Sequence, residues 1–333
     1  MKVLVTGGGG FLGKAIIERL VARGDQVRSL ARGDYPELAA MGCTVFRGDV
    51  ATYEAVAAAT QGVDAVIHTA AKAGIWGRSL DFERTNVRGT ENVIRACREF
   101  GVSRLVHTSS PSVVFDGRDM VGVDESVPYP ARYEADYPRT KAIAEQAVLA
   151  AKDDHLATVA LRPHLIWGPG DHHLVPRILQ RGRTGQLRRV GSGNPLIDTI
   201  YIDNAAHAHV LALDRLHVGC PLAGKVYFLS QGVPIPLWDM VNAILAAGGL
   251  PPVTRRVPKP VALAAATVLE GVYRLLNWEA EPRLTRFLVQ ELSTAHWFNI
   301  TAARRDLDYA PQVSTEEGLQ RLRASLAASA AAP

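Results

Sequence analysis

The chain has 333 residues, 47% of them hydrophobic and 21% charged, and a formal net charge of +4. That length suits about two domains. The composition excludes a disordered or low-complexity chain, and no window reaches the roughly 18 uncharged apolar residues of a membrane span.

The first part alternates short apolar runs with amphipathic stretches. Val3-Leu4-Val5 reads as a strand, and Phe11–Arg23 as a helix stopped by Gly24. Further strands are expected at Val27–Leu30, Thr44–Phe46, Ala65–His68, Leu105–His107 and Thr158–Leu161, with helices at Tyr53–Thr60, Val87–Phe100 and Tyr137–Lys152. Short continuous apolar strands between helices predict a parallel sheet covered on both faces. Right-handed crossovers then give an α/β, Rossmann-type, doubly wound sheet.

After Pro163 the rhythm breaks at Gly168-Pro169-Gly170. The expected division is a dinucleotide-binding domain over 1–165 and a smaller, mixed substrate region over 166–326. Residues 201–230 return to the first domain as an extended piece, a helix at Tyr201–Leu216 and a strand at Val226–Leu229. Pro258–Trp278 is a mostly apolar helix pattern carrying Glu270 and Arg274. It reads as a core helix, the wall of an alkyl tunnel, or a helix lying on a membrane surface. The Ala-rich tail over 327–333 is expected to fray.

The densest basic stretch is Arg177–Arg189, with Arg181, Arg183 and Arg188. It lacks interleaved aromatics, so it reads as a solvated face and gives no support for nucleic-acid binding. Cys43, Cys97 and Cys220 have neither metal-site nor disulfide spacing. With a strand at the very start and no signal-peptide pattern, the expectation is a cytoplasmic protein without a resident metal.

Thr6–Gly13 reads T-G-G-G-G-F-L-G directly after the first strand. Gly7 permits the tight turn, Gly10 lets the backbone approach a pyrophosphate, and Gly13 lets the helix pack on the strand. The amides of Phe11 and Leu12 and the positive end of the helix dipole suit the phosphates. The second strand ends Leu30-Ala31-Arg32, without the carboxylate that an NAD site uses for its 2′-hydroxyl. Arg32 suits a 2′-phosphate, with Arg28 as a second candidate, so NADP(H) is favoured over a reading of Arg32 as a surface arginine. Asp49, followed by Val50, can accept from an adenine amino group, and Thr69-Ala70-Ala71 leaves room for a ribose.

Tyr137 and Lys141 stand four residues apart, on one helix face. A free phenol has a pKa near ~10, and an adjacent ammonium would lower it toward the working range. Lys141 could also hold the ribose. Ser110, with Ser109 and Ser112 as alternatives in register, offers a hydroxyl to a substrate oxygen as charge develops on it. Trp76, His164 and Trp167 follow strand ends where a substrate would lie. An acidic substrate would want Lys72, Arg78 or His164.

In order, T-G-G-G-G-F-L-G, Asp49, His68–Ala71, Asn86-Val-Arg-Gly-Thr90, Thr108-Ser-Ser110, Tyr137-Pro-Arg-Thr-Lys141 and Leu161-Arg-Pro163 resemble the extended short-chain dehydrogenase/reductases, in their 3β-hydroxysteroid dehydrogenase branch. The resemblance implies that Asn86 orders water and backbone near the lysine and that Pro163 borders the cofactor. It places the active site between the two domains. It also implies a homodimer through the helices around Val87–Phe100 and Tyr137–Lys152, with Val93, Ala96, Ala144, Val148 and Ala151 as either interface or core.

More narrowly, Ser109–Gly117, Leu161–Asp171 and Leu292–Phe298 are similar to bacterial 2-alkyl-3-oxoalkanoate reductases of long-chain olefin biosynthesis. That implies NADPH-dependent reduction of a hydrophobic β-keto acid, and a place beside other enzymes of the pathway. The alternatives are a 3β-hydroxysteroid or sterol dehydrogenase, a nucleotide-sugar epimerase or dehydratase, and a non-catalytic NADP sensor. Arg32 and the apolar second half weigh against a sugar nucleotide, and the complete Ser-Tyr-Lys set weighs against a sensor.

Overall fold

The computed structural model describes residues 1–331. Seven strands form one sheet: β1 (Lys2–Thr6), β2 (Gln26–Ala31), β3 (Thr44–Arg47), β4 (Ala65–His68), β5 (Arg104–Thr108), β6 (Ala157–Pro163) and β7 (Lys225–Leu229). Their spatial order is β7-β6-β5-β4-β1-β2-β3, and every neighbouring pair is parallel. Alternation along each strand divides the core. Val3, Val5, Ile67, Val106 and Val159 face one side, and Leu4, Val66 and Leu105 the other.

Helices α1 (Phe11–Ala22), α2 (Tyr53–Thr60), α3 (Gly89–Glu99), α4 (Asp136–Ala150), α5 (Leu174–Arg183), α6 (Ile202–Arg215), α7 (Lys259–Leu275), α8 (Arg286–Glu291) and α9 (Thr315–Ala331) complete the main framework. Ile16, Ile17 and Leu20 of α1 and Ala205, Ala208 and Ala212 of α6 cover the first face of the sheet. Val56 of α2, Val93 of α3 and Val148 of α4 cover the second. The strand order reverses between β1 and β4, so the ligand crevice of such a sheet opens at the carboxyl ends of these strands.

A second, four-stranded sheet combines Ile235–Pro236, Leu196–Ile197, His296–Phe298 and Met120–Val123. It is mixed: the first two segments are antiparallel, whereas His296–Phe298 runs parallel to both of its neighbours. Met120–Val123 therefore leaves the first half of the chain to build the second sheet, which a reading by chain segments did not anticipate.

Two local expectations are corrected. The helix expected from Val87 begins earlier, as a π-helical stretch over Glu83–Arg88 that carries the buried Asn86. The tail from Ala327 is helical as far as Ala331, because alanine is the strongest helix former; 332–333 lie outside the described residues. No helix among the described residues is long and apolar enough to cross a membrane.

Candidate active site

The glycine loop leaves β1 through Gly7, at φ +73°, where an added Cβ would stand 2.8 Å from the backbone of Ala70. At Gly13 an added Cβ would meet the Gly7 carbonyl oxygen at 2.3 Å, so α1 can start this close to β1 only with glycine there. Gly10 is left open on its outer side, with the Gly7 oxygen at 3.2 Å as the one near neighbour. Helix α1 has no side-chain cap and no acidic residue in its first turn. Its free amides and dipole end therefore remain available to an anion.

The reading from sequence missed Gly8 and Gly9. A Cβ on Gly8 would strike Ser29 Oγ at 2.2 Å, and one on Gly9 would enter the ring of Tyr35. Tyr35 thus lies across the glycine loop beside Arg32. Gly33, which a side chain would also press against this ring, was its only sequence signal.

Arg32 is exposed at the end of β2. Arg47 donates to the Arg32 carbonyl at 3.3 Å, which brings a second cation to the same corner. Arg28 is not available there. Its guanidinium donates to the carbonyls of Ala59 (3.1 Å) and Gln61 (2.7 Å) and closes the end of α2. Asp49 caps the following turn through Ala51 N and pairs with Arg84 at 3.1 Å, and Val50 packs against Gly89. Thr69 donates to the Thr6 carbonyl at 2.7 Å, which fixes the loop carrying Ala70 and Ala71.

A cavity of about 450 Å³ runs from this loop past the ends of β5 and β6 to α8. Gly7, Gly10, Phe11, Leu12, Gly13, Thr69 and Ala71 line its glycine-loop end. Ser110, Ser112, Tyr137, Lys141, Pro163 and His164 line its middle. Ile75, Leu165, Ile166 and Phe287 give it apolar walls, and Glu291 reaches it from α8.

Ser110 is the serine whose side chain meets the Tyr137 hydroxyl. It also lies 2.9 Å from Ser112 Oγ and accepts from the Ser112 amide at 3.2 Å, so Ser112 orients it. The Ser109 hydroxyl is buried and has no partner among the described residues. Arg139 ties the first turn of α4 to Glu83 at 2.8 Å and to Ser79 at 3.1 Å, which steadies Tyr137.

Lys141 is almost fully buried. Its ammonium donates to the Thr108 carbonyl at 2.6 Å and lies 3.2 Å from His107 Nε2. Burial lowers its pKa to about 8. Tyr137 departs from the sequence expectation: burial raises its phenol above the ordinary value, and the Ser110 hydrogen bond opposes this only in part. The Lys141 ammonium is committed to the end of β5, so desolvation governs the phenol.

His107 was missed, although its strand register gave a signal: His107 pairs with His68 across β4 and β5, and their rings stand 5.2 Å apart. Both imidazoles are held neutral by burial, so His107 can accept from the ammonium. Asn86 donates to Thr140 Oγ1 (3.0 Å) and to the Lys72 carbonyl (3.2 Å), and accepts from the Lys72 amide at 2.7 Å. It joins the loop after β4 to the helix turn that carries Lys141.

Four residues expected near the substrate lie elsewhere. Trp167 is fully buried and donates to Thr199 Oγ1 at 3.1 Å, because its strand turns into the core beneath α9. Trp76 faces a neighbouring cavity of about 380 Å³ and donates to the Trp278 carbonyl at 3.1 Å. Lys72 places its ammonium 5.0 Å from the centre of the Phe82 ring. Arg78 lines the same neighbouring cavity as Trp76. In the basic stretch, Arg177 pairs with Glu281, and Arg181 and Arg188 donate to main-chain carbonyls.

Residues 4–258 match the 3-beta hydroxysteroid dehydrogenase/isomerase family. The chain is 54% identical over 331 residues to a 2-alkyl-3-oxoalkanoate reductase of Stenotrophomonas maltophilia (strain K279a), covering 98% of this chain and 100% of that protein. It is 52% identical to a 2-alkyl-3-oxoalkanoate reductase of Shewanella oneidensis, covering 97% and 85%. The crystal structure of gox2253 superposes with a TM-score of 0.79 at 26% identity, covering 98% of each chain.

Proposed function

The chain belongs to the 3-beta hydroxysteroid dehydrogenase/isomerase family and is an oxidoreductase, and from that premise we propose that it reduces the 3-keto group of a hydrophobic 2-alkyl-3-oxoalkanoic acid to the 3-hydroxy acid, using NADPH. The observation that carries this reading is the convergence of Ser110, Tyr137 and Lys141 in one cavity with apolar walls. The neutral phenol suits reduction in particular, because a proton donor must hold its proton before the ketone arrives.

A nicotinamide cofactor fits the residues present. The uncapped start of α1 and the close-packed glycines would hold the pyrophosphate, Asp49 the adenine end, and Lys141 the nicotinamide ribose. Thr69, Ala70, Ala71 and Pro163 would border it. The exposed Arg32, with Arg47 beside it, supports NADPH over NADH. When bound, the cofactor supplies the hydride. Tyr137 gives its hydroxyl proton to the ketone oxygen, and Ser110 donates to that oxygen as charge grows on it. Asn86 and Thr140 hold the Lys141 turn in place.

The reading is tested with NADPH oxidation against long 2-alkyl-3-ketoacids, 3-ketosteroids and sugar nucleotides. Turnover led by the ketoacids is the expected result, and turnover led by either other class would overturn it. A homodimer remains part of the proposal, but not through the apolar residues expected from the sequence. Val93, Ala96, Ala144, Val148 and Ala151 are all buried within the protomer. The outer face of α4 and of the helical residues that precede α3 instead offers Leu80, Val87 and Ile143 among Glu and Arg side chains. Light scattering at micromolar concentration would show a dimer in the wild type and a monomer for Ile143→Arg.

A further inference from the structure

An acid substrate must bring its carboxylate into a largely apolar cavity, where an unpaired charge is costly. The basic side chains lining that cavity are Lys141, His164 and His173. Lys141 is engaged by Thr108 and His107, and His173 is exposed at the mouth. Lys72 and Arg78 point to other places. His164 alone is deep with a free ring nitrogen. It is only 7% exposed, and its Nδ1 is buried without a partner among the described residues, while the ring also meets the Asp198 main chain.

The geometry points to His164, backed by His296, as the group that reads the substrate carboxylate, taking up a proton from solvent as it does so. This rests on the β-keto acid reading above.

Position supports it first. Thr108 of β5 pairs with Leu161 of β6, so Ser110 and His164 leave neighbouring strand ends at nearly the same level. Adjacent strands lie about 4.8 Å apart. In a β-keto acid the carboxyl carbon is two bonds from the ketone carbon. A ketone oxygen held at Ser110 therefore brings the carboxylate toward the next strand end, where His164 sits. Leu165 adopts φ +46°, a left-handed conformation that is strained for a side chain of this kind, and this turn brings His164 and Leu165 together to the cavity wall.

The surroundings support it second. His296 packs edge-on against His164 at 4.9 Å, and Phe298 does so at 5.1 Å. His296 donates Nε2–H to the Glu291 carbonyl at 2.9 Å, which fixes its ring against His164. Burial and His296 hold His164 well below its ordinary value, against the pull of the Asp198 main chain. A carboxylate alongside reverses that balance, because an opposite charge at contact favours the imidazolium.

The other titratable groups around the cavity are Glu291, Asp171, Asp198, His173, Tyr137 and Lys141. Burial pushes the Glu291 carboxyl above its ordinary value, and His296 opposes that shift. Both Asp171 oxygens are taken by the amides that begin α5. Asp198 lies behind the ring, with one oxygen bonded to the Phe298 amide at 2.7 Å.

The test uses the full-length protein with NADP+, a 2-alkyl-3-hydroxyalkanoic acid and its primary amide, which has the same shape without the charge. The ratio of kcat/KM for acid to that for amide should fall about 10- to 100-fold in His164→Leu, the scale of one charge-assisted hydrogen bond. A ratio cancels any loss of correctly folded enzyme. Calorimetry near pH 7.5 in buffers of different ionisation enthalpy should show about one proton taken up per acid bound to the wild-type cofactor complex. None should be taken up with the amide or in His164→Gln. An unchanged ratio, or uptake that survives His164→Gln, overturns the inference. If the wild type oxidises neither compound yet turns over other alcohols, the β-keto acid reading has failed, and this inference with it.

Discussion

Glu145 and Arg162 form a two-pronged ion pair in the interior, Nε to Oε2 at 2.9 Å and Nη2 to Oε1 at 2.6 Å. Glu145 stands one helical turn beyond Lys141, and Arg162 is the residue before Pro163. The Tyr129 hydroxyl donates to the same carboxylate at 2.6 Å, so three segments around the cavity meet here. Removing one partner strands the other charge at 0% or 2% exposure. Arg162→Met alone should therefore destabilise the fold by about 3–5 kcal/mol, whereas the double change Glu145→Leu with Arg162→Met should cost much less. Urea unfolding of the three proteins distinguishes these outcomes. Equal losses for the single and double variants would mean that packing, and not charge, holds the joint.

This pair marks where the sequence stopped being legible. The inner strands of the main sheet, β1, β4, β5 and β6, were readable because each is a short run of mostly apolar residues buried on both faces. The glycine loop was readable because backbone contact and dihedral angle leave no alternative at Gly7 and Gly13. Ser110, Tyr137 and Lys141 were readable through their spacing and order. Glu145, His107 and His296 were not, because each acquires its role from a partner on a different element, far away in sequence. The Met120–Val123 strand was hidden for the same reason, since it pairs with His296–Phe298. Trp167 and Trp76 misled because a position after a strand end does not fix the direction of a side chain.

Cofactor choice rests on Arg32. Its exposed guanidinium would meet a 2′-phosphate that NADH lacks. Losing a charge-assisted bond corresponds to roughly 10- to 100-fold weaker binding. Fluorescence titration of wild type and Arg32→Ala with both cofactors should show NADPH preferred in the wild type, and that preference largely lost in the variant. Equal affinities in the wild type would assign the corner to NADH.

Lys141 gives the site a pH dependence. Its folded value of about 8 lies below its ordinary 10.5, so the unfolded chain binds more protons between these limits. This group therefore opposes folding below about pH 8, and its penalty is relieved as pH rises toward 10.5. Function runs the other way, because the neutral amine loses its charge-assisted grip on the ribose. NADPH affinity should weaken as pH rises through about 8 in the wild type, while Lys141→Met binds more weakly at every pH without that step. A flat wild-type profile between pH 7 and 9.5, roughly the span of such a titration, would remove Lys141 from the cofactor site.

Helix α7 presents an apolar stripe to the outside. Val261, Val268, Val272 and Leu275 are 56%, 65%, 40% and 85% exposed, and Trp278 follows at 51%. Lys259 precedes the stripe and Arg274 stands near its end, a pattern suited to anionic headgroups. Its final turns line the cavity beside Trp76, which shares Ile75 and Phe287 with the candidate active site. A lipid surface there would deliver alkyl chains close to the chemistry. Flotation with anionic phospholipid vesicles should carry the wild type upward and leave the double variant Val268→Asp, Leu275→Asp behind. Equal flotation of the two proteins would reject this face as the contact.

The proposed chemistry turns on Tyr137. Tyr137→Phe keeps the ring and removes only the hydroxyl that meets Ser110. The glycine loop and Thr69, at the other end of the cavity, do not depend on that oxygen. NADPH affinity should therefore stay close to that of the wild type, while single-turnover hydride transfer falls by about 10²- to 10⁴-fold, the scale of general acid catalysis. Ser110→Ala should slow the same step without restoring an acidic phenol, because in its absence burial acts on Tyr137 unopposed. Combining the two changes should cost little more than Tyr137→Phe alone, since both hydroxyls serve one oxygen. If Tyr137→Phe retains near-wild-type transfer, the proton comes from another group, and the Ser110–Tyr137 contact has no part in delivering it.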